Sequence, residues 1–164
     1  IKYLLNKNYK ENYPYEFHIL GPGLGESKEI ERLGGMIHGP YERENLSSII
    51  KNISPALALI LSTWPETYCH TLTEAWSMGL PVVASDIGAL GERIRTHGGG
   101  WLVDFEHPVA CWQTLREITK DHKMLLEKKL EAENIFIKSA EAMASDYLEI
   151  YEKVIPCFER HSGA

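Results

Sequence analysis

The sequence predicts an α/β fold in which helices flank a parallel sheet, and three observations carry that prediction. Short apolar runs of strand length alternate along the chain with segments whose apolar residues fall at helical spacing. Two of the runs, Leu57 to Leu61 and Pro81 to Ala84, enclose one helix-length segment, as a crossover between parallel strands does. Turns rich in Gly and Pro close the first two runs, at Gly21-Pro22-Gly23-Leu24-Gly25 and at Gly39-Pro40.

The chain opens with Tyr3, Leu4 and Leu5 among Lys and Asn, which reads as a helix already under way. Because the first residue is Ile1 and not Met, a fragment or excised domain is expected. Glu16 to Leu20 is the first strand and Met36 to His38 the second. After it, Leu46, Ile49, Ile50 and Ile53 fall at helical spacing. Leu57 to Leu61 and Pro81 to Ala84 supply two more strands, and Trp101 to Val103, preceded by Gly98-Gly99-Gly100, a fifth. From Pro108 onward the pattern is helical, with Met143, Tyr147, Ile150, Tyr151 and Val154 on one face and Glu149 four residues before Lys153. No internal repeat or linker interrupts this order. Residues 1–164 are therefore expected to form a single Rossmann-like domain, a parallel sheet finished by C-terminal helices.

Composition narrows the function classes. With 164 residues, 44% of them hydrophobic, the chain can bury a proper core, and no tract is of low complexity. No apolar stretch approaches the roughly 20 residues that span a bilayer, and the start lacks a charged-then-apolar leader, so a soluble protein is expected. The net charge of -6 argues against a nucleic-acid groove, which needs clustered Lys and Arg. A single nucleotide can still be held by backbone amides. Cys69, Cys111 and Cys157 are widely spaced and make no Cys-x-x-Cys or Cys/His pattern. That predicts neither a disulfide framework nor a zinc site, and a reducing, cytoplasmic compartment.

The functional reading rests on Trp64 to Pro81, where Glu66 and Glu74 stand eight residues apart across a strand-to-helix junction. Ligands of open α/β sheets bind outside the carboxyl ends of strands, which is where Glu66 would sit. By itself the pair says little, since Glu74 in the first turns of a helix is favoured by the helix dipole with or without a ligand. The order strand, short loop, helix start, small residue and second strand adds the weight, because a phosphate-binding crossover needs that order. The Gly21 to Gly25 turn lacks the third Gly of Gly-x-Gly-x-x-Gly and reads as a tight turn leaving a strand. Thr71 and Thr73 near a helix start read as caps. Trp64, Tyr68 and Trp76 read as core aromatics or lid surface, and His38 as an ordinary strand-end histidine. His70 reads as a helix-start surface residue in preference to a general base.

These residues resemble the nucleotide-sugar half of group 1 glycosyltransferases of the GT-B fold. The family pattern is Glu, seven residues, Glu-Ala, a Gly-Leu-Pro-Val-Val strand entry and a Gly-containing loop. Here the string is Glu66, Glu74-Ala75, Gly79-Leu80-Pro81-Val82-Val83-Ala84-Ser85-Asp86 and Gly88-Ala89-Leu90-Gly91-Glu92. Tyr68-Cys69 stands where Phe-Gly commonly follows the first Glu, and Gly91 where Pro is expected. The Cys restricts a backbone position that the family leaves to Gly. The resemblance runs from about Glu16 to the C-terminal helix and covers less than half of a complete enzyme.

The resemblance implies a retaining transferase that moves a sugar from a nucleoside-diphosphate donor to a polysaccharide or glycoconjugate acceptor, with no cofactor and no bound metal. It implies that Glu66 faces the sugar as the catalytic carboxylate and that Glu74 accepts both ribose hydroxyls in a carboxylate fork. Backbone amides around Tyr68, Cys69, His70 and Thr71 would cradle the pyrophosphate or bind sugar hydroxyls. Gly21 would lie along the donor crevice, and His38-Gly39-Pro40-Tyr41 would line the base pocket. An Arg and a Lys that neutralise the leaving diphosphate in the family would precede Ile1, as would the first strand of the 3-2-1-4-5-6 order. The partner of this half would be an N-terminal acceptor-binding domain, which leaves room for a peripheral membrane contact, and the chain alone would be inactive. Two readings stay open beside this one: a nucleotide-sugar binding module without catalysis, and half of a GT-B epimerase or phosphorylase. A sheet without its central first strand would expose two unpaired edges. A continuous five-stranded sheet pairing Leu57 to Leu61 with Glu16 to Leu20 would contradict that register.

Overall fold

The computed structural model describes residues 1–21 and 27–159. Helix α1 (Lys2–Glu11) leads to strand β1 (Phe17–Leu20), and helix α2 (Ser27–Arg32) to strand β2 (Gly35–Gly39). The alternation continues through α3 (Arg43–Ile53), β3 (Ala58–Ile60), α4 (His70–Ser77), β4 (Val82–Ser85), α5 (Gly88–His97) and β5 (Gly100–Val103). Helices α6 (Pro108–Lys120), α7 (His122–Glu133) and α8 (Ala140–Glu159) follow. Each predicted strand is present, no end displaced by more than one residue. The stretch Gly88 to Glu92, expected as a loop, is instead the start of α5. Its two glycines hide a helix whose register is set by the burial of Ala89, Leu90 and Ile94. Of the Gly21 to Gly25 turn only Gly21 falls within the described residues.

The strands pair in parallel in two sets. Phe17 of β1 lies opposite Gly35 of β2, with a register shift between Ile19 and Leu20. In the second set Ala58 lies opposite Val82, and Val82 opposite Gly100. Among the described residues β1 and β3 are not hydrogen-bonded to one another. The pairing β2-β1 and β3-β4-β5 is that of the 3-2-1-4-5-6 order with its first strand left out.

Strand side chains alternate between two cores, as the two-residue period of a sheet covered on both faces requires. Ala58, Ile60, Val82, Ala84 and Leu102 pack with Leu72, Ala75 and Trp76 of α4, Leu90 and Ile94 of α5, and Ala132 of α7. Leu59, Val83, Trp101 and Val103 face the other way, onto Leu4 and Leu5 of α1 and Cys111, Trp112, Leu115 and Ile118 of α6. Phe17, Ile19 and Ile37 of the first strand pair join this second core, so the two sets share one layer despite the break between them.

Helix α8 joins neither core among the described residues. Its predicted face is there, with Met143, Tyr147, Ile150, Tyr151 and Val154 all exposed, and the Glu149–Lys153 pair closes at 2.6 Å. No helix in the described residues is long and apolar enough to cross a membrane. Cys69 and Cys111 are buried and unpaired, and burial pushes the Cys111 thiol up to about 11, which leaves it an unreactive packing group. The Cys157 side chain lies outside the described residues.

Candidate functional site

An open cleft of about 450 Å³ lies at the carboxyl ends of the strands, lined by Gly21, Pro40, Tyr41, Arg43, His70 and Glu74. Each lining residue follows a strand: Gly21 follows β1, Pro40 to Arg43 follow β2, and His70 and Glu74 belong to the helix after β3. This is the crevice in which open α/β sheets bind ligands. A smaller cavity of about 190 Å³ lies at α1 and α2 around the Lys2–Glu29 ion pair of 2.8 Å, away from the strand ends.

Glu74 is the fifth residue of α4, and its carboxylate lies 3.1 Å from Arg43 Nε, with 19% of the side chain exposed. The first turn of α4 holds no acidic residue, so the helix dipole does not account for Glu74. Arg43, 69% exposed on the first turn of α3, binds one carboxylate oxygen through Nε.

The turn before α4 departs from expectation in a useful way. Cys69 is the N-cap residue and adopts φ 64, ψ 85, the left-handed region that the Cys-for-Gly exchange was expected to close. The backbone has kept a glycine-type conformation with a side chain on it. The thiol is buried, which raises its pKa, and the Glu66 carboxylate raises it further. No side chain caps the α4 N-terminus among the described residues, so Thr71 is not the cap that its position suggested. Thr73 instead accepts a hydrogen bond from Arg93 at 2.9 Å.

Glu66 is held through its backbone. The Ala89 amide donates to its carbonyl at 3.0 Å, and Gly88, at φ +50, sits so close that a Cβ would lie 2.9 Å from that oxygen. The Gly-containing segment therefore serves to bring α5 against Glu66. Gly91, in the place of the expected Pro, leaves room for the Asp86–Arg95 ion pair, since a Cβ there would meet Asp86 Oδ1 at 2.5 Å.

Of the predicted site residues, Glu74, His70 and Gly21 meet in one cleft. Glu66, Tyr68, Cys69 and Thr71 lie on the approach to α4 and its first turn without lining that cleft. His38 does not line it: its Nε2 lies 2.9 Å from His18 Nδ1, with the rings stacked at 21° across β1 and β2. Gly39 acts through its carbonyl, which accepts from the Gly21 amide at 3.0 Å and ties the two strand ends together. Trp76 is core, 2% exposed, whereas Trp64 is 74% exposed and Tyr68 44%. Sequence reasoning missed Arg43 and Arg93, because a lone Arg inside an amphipathic helix has no local pattern to mark it.

A parallel α/β layer with helices on both faces and a cleft at its strand ends is the architecture of a Rossmann-like domain. The profile of the family described as "Glycosyl transferases group 1" matches residues 4–143, and the chain belongs to that family. It is 27% identical over 103 residues to a D-inositol 3-phosphate glycosyltransferase of Streptomyces griseus, an alignment covering 58% of this chain and 21% of that protein. An Anabaena protein, HepE, solved in complex with UDP is similar in structure, with a TM-score of 0.63 at 18% identity, covering 96% of this chain and 44% of that one. Sucrose-phosphate synthase from Thermosynechococcus elongatus gives a TM-score of 0.70 at 16% identity, over 94% of this chain and 42% of that one. The fold is that of GT-B glycosyltransferases, and the chain spans less than half the length of these relatives.

Proposed function

We propose that this chain is the C-terminal, donor-binding half of a glycosyltransferase that transfers a sugar from a nucleoside-diphosphate donor to a polysaccharide or glycoconjugate acceptor. The observation that carries the reading is the convergence of Glu74, His70, Gly21 and the loop after β2 on one cleft at the strand ends. Its size suits a nucleotide, and membership of the family supports the chemistry. The structurally similar Anabaena protein was solved with UDP.

In this reading the Glu74 fork accepts the ribose hydroxyls, with Arg43 holding the carboxylate in place from the rim. The amides at the α4 start carry the diphosphate, Tyr41 and Pro40 flank the base, and Glu66 faces the sugar. The transfer proceeds with retention, without a resident metal or cofactor, in the cytoplasm. An N-terminal domain supplies the acceptor side and any contact with a membrane surface. A strand preceding Ile1 fills the break between β1 and β3 and brings the cations that neutralise the leaving diphosphate.

Titration calorimetry of UDP, GDP and ADP tests the ribose role. The Glu74→Gln chain should bind the preferred nucleotide about tenfold more weakly than the unaltered chain, the loss expected for a charge-assisted hydrogen bond. Equal affinities of the unaltered and Glu74→Gln chains for every nucleotide would remove Glu74 from the donor site.

A further inference from the structure

Arg93 lies on α5 and does not line the cleft, yet its guanidinium hydrogen-bonds the turn that enters α4. Nη1 donates to the Tyr68 carbonyl at 2.8 Å and to the Cys69 carbonyl at 3.1 Å. Nη2 donates to Thr73 Oγ1 at 2.9 Å, so one guanidinium grips the turn on both sides of Cys69 and the first turn of the helix. The cation is itself fixed between two rings, 4.3 Å from the Tyr68 centroid and 5.1 Å from that of Trp76. Its planar fork is stiff, which a lysine ammonium is not.

Peptide geometry turns this grip into a consequence for ligand binding. A trans peptide is planar and its N–H points opposite to its C=O. The Tyr68 carbonyl shares a plane with the Cys69 amide, and the Cys69 carbonyl with the His70 amide. With both carbonyls converging on Arg93, the two successive amides point away from it together. Successive amides aimed the same way around a turn are a means of binding an anion, and Cys69, at φ 64, is the residue at which these two meet. His70, the second amide of the pair, already lines the cleft with Glu74.

We propose that Arg93 is a positioning residue for diphosphate recognition: by holding the Tyr68 and Cys69 carbonyls it aims the Cys69 and His70 amides at the donor diphosphate. The role rests on the donor reading of the cleft. It explains how a side-chain-bearing residue keeps a glycine conformation at this point: Arg93 supplies from outside the constraint that a glycine would need only its own freedom to meet.

The test compares a nucleoside diphosphate with its monophosphate, so that the diphosphate subsite is read apart from the base and ribose. Calorimetry on this chain first identifies which of UDP, GDP and ADP binds most tightly, then measures that nucleotide and its monophosphate with Arg93→Met and Arg93→Lys. For Arg93→Met the diphosphate should weaken by about tenfold while the monophosphate changes by less than about threefold, with the fold checked by circular dichroism. Arg93→Lys should recover less than half of the loss, because it restores the charge but not the fork. Should Arg93→Met not fold, Arg93→Gln reads the same ratio. An unchanged ratio in the Met or Gln chain, or full recovery by Lys, overturns the role. Absence of binding by the unaltered chain overturns the donor reading itself, and the two failures are thus told apart.

Discussion

Cys69 shows how one residue can contradict a local rule and be kept in place by its neighbours. A left-handed conformation costs an L-residue about 1–2 kcal/mol relative to glycine. Two charge-assisted hydrogen bonds from Arg93, each with a net value of about 1.5–3 kcal/mol, outweigh that cost. Restoring glycine would relieve the strain but remove a buried side chain, two effects of similar size, so that substitution says little. A β-branched residue is the sharper probe, since its second γ atom makes the left-handed region worse. Cys69→Val should destabilise the chain by about 2 kcal/mol or more in urea unfolding. A change under about 0.5 kcal/mol would mean that the turn relaxes easily and that Cys69 is not strained.

At the scale of elements, the helix that carries Glu74 is fixed at both ends. Its C-terminus closes in a Schellman motif, with the Leu80 amide donating to the Ala75 carbonyl at 3.0 Å and the Gly79 amide to Trp76 at 2.9 Å. Gly79, at φ +66, takes the left-handed position that this motif requires, so the Gly-Leu-Pro string ends α4 and starts β4 in three residues. Trp76 then ties α4 to the residue that precedes β5, donating its indole N–H to the Gly99 carbonyl at 3.1 Å. Gly99 has no room to spare: a Cβ would lie 2.8 Å from both the indole nitrogen and Ile135 Cδ1, and its φ is +67. Gly99→Ala should therefore cost about 2–4 kcal/mol, the sum of overpacking and a disallowed dihedral. Gly34→Ala is the control, with φ +85 but nothing within 4 Å, and should cost only about 1 kcal/mol. Thermal unfolding of both chains decides the matter, and equal costs would show that close packing against Trp76 contributes nothing.

For the molecule as a whole, the break in the sheet is the dominant feature. Neither β1 nor β3 has a partner on its second edge among the described residues, although their side chains share one core. Unpaired strand edges are templates for pairing with another chain. Residues 1–164 should therefore self-associate with rising concentration, while a chain extended N-terminally through one further strand should remain monomeric. The extension should also raise the melting temperature by about 4–8 °C if pairing both edges contributes about 2 kcal/mol. Light scattering and amide exchange at Phe17–Leu20 and Ala58–Ile60 give the readout. Identical association and identical exchange in the two chains would show that no strand belongs in the gap.

The sequence by itself determined the strands, their parallel pairing and the crossover bearing Glu66 and Glu74, because short buried strands are written in contiguous apolar residues. Leu57 to Leu61 and Pro81 to Ala84 needed no partner to be legible, and the glycines of Gly79-Leu80-Pro81 and Gly98-Gly99-Gly100 marked the ends they make. Even the break between β1 and β3 followed from the family order of strands. What only the tertiary structure decided is which side chains converge. Arg43 reaches Glu74 from the neighbouring crossover, and Arg93 grips Tyr68 and Cys69 from a helix more than twenty residues away along the chain. His38 faces His18 because two strands lie side by side. Such pairings carry no local period or spacing, for they are set by where separate elements come to rest on the sheet, and a sequence states that only through the packing of the whole chain.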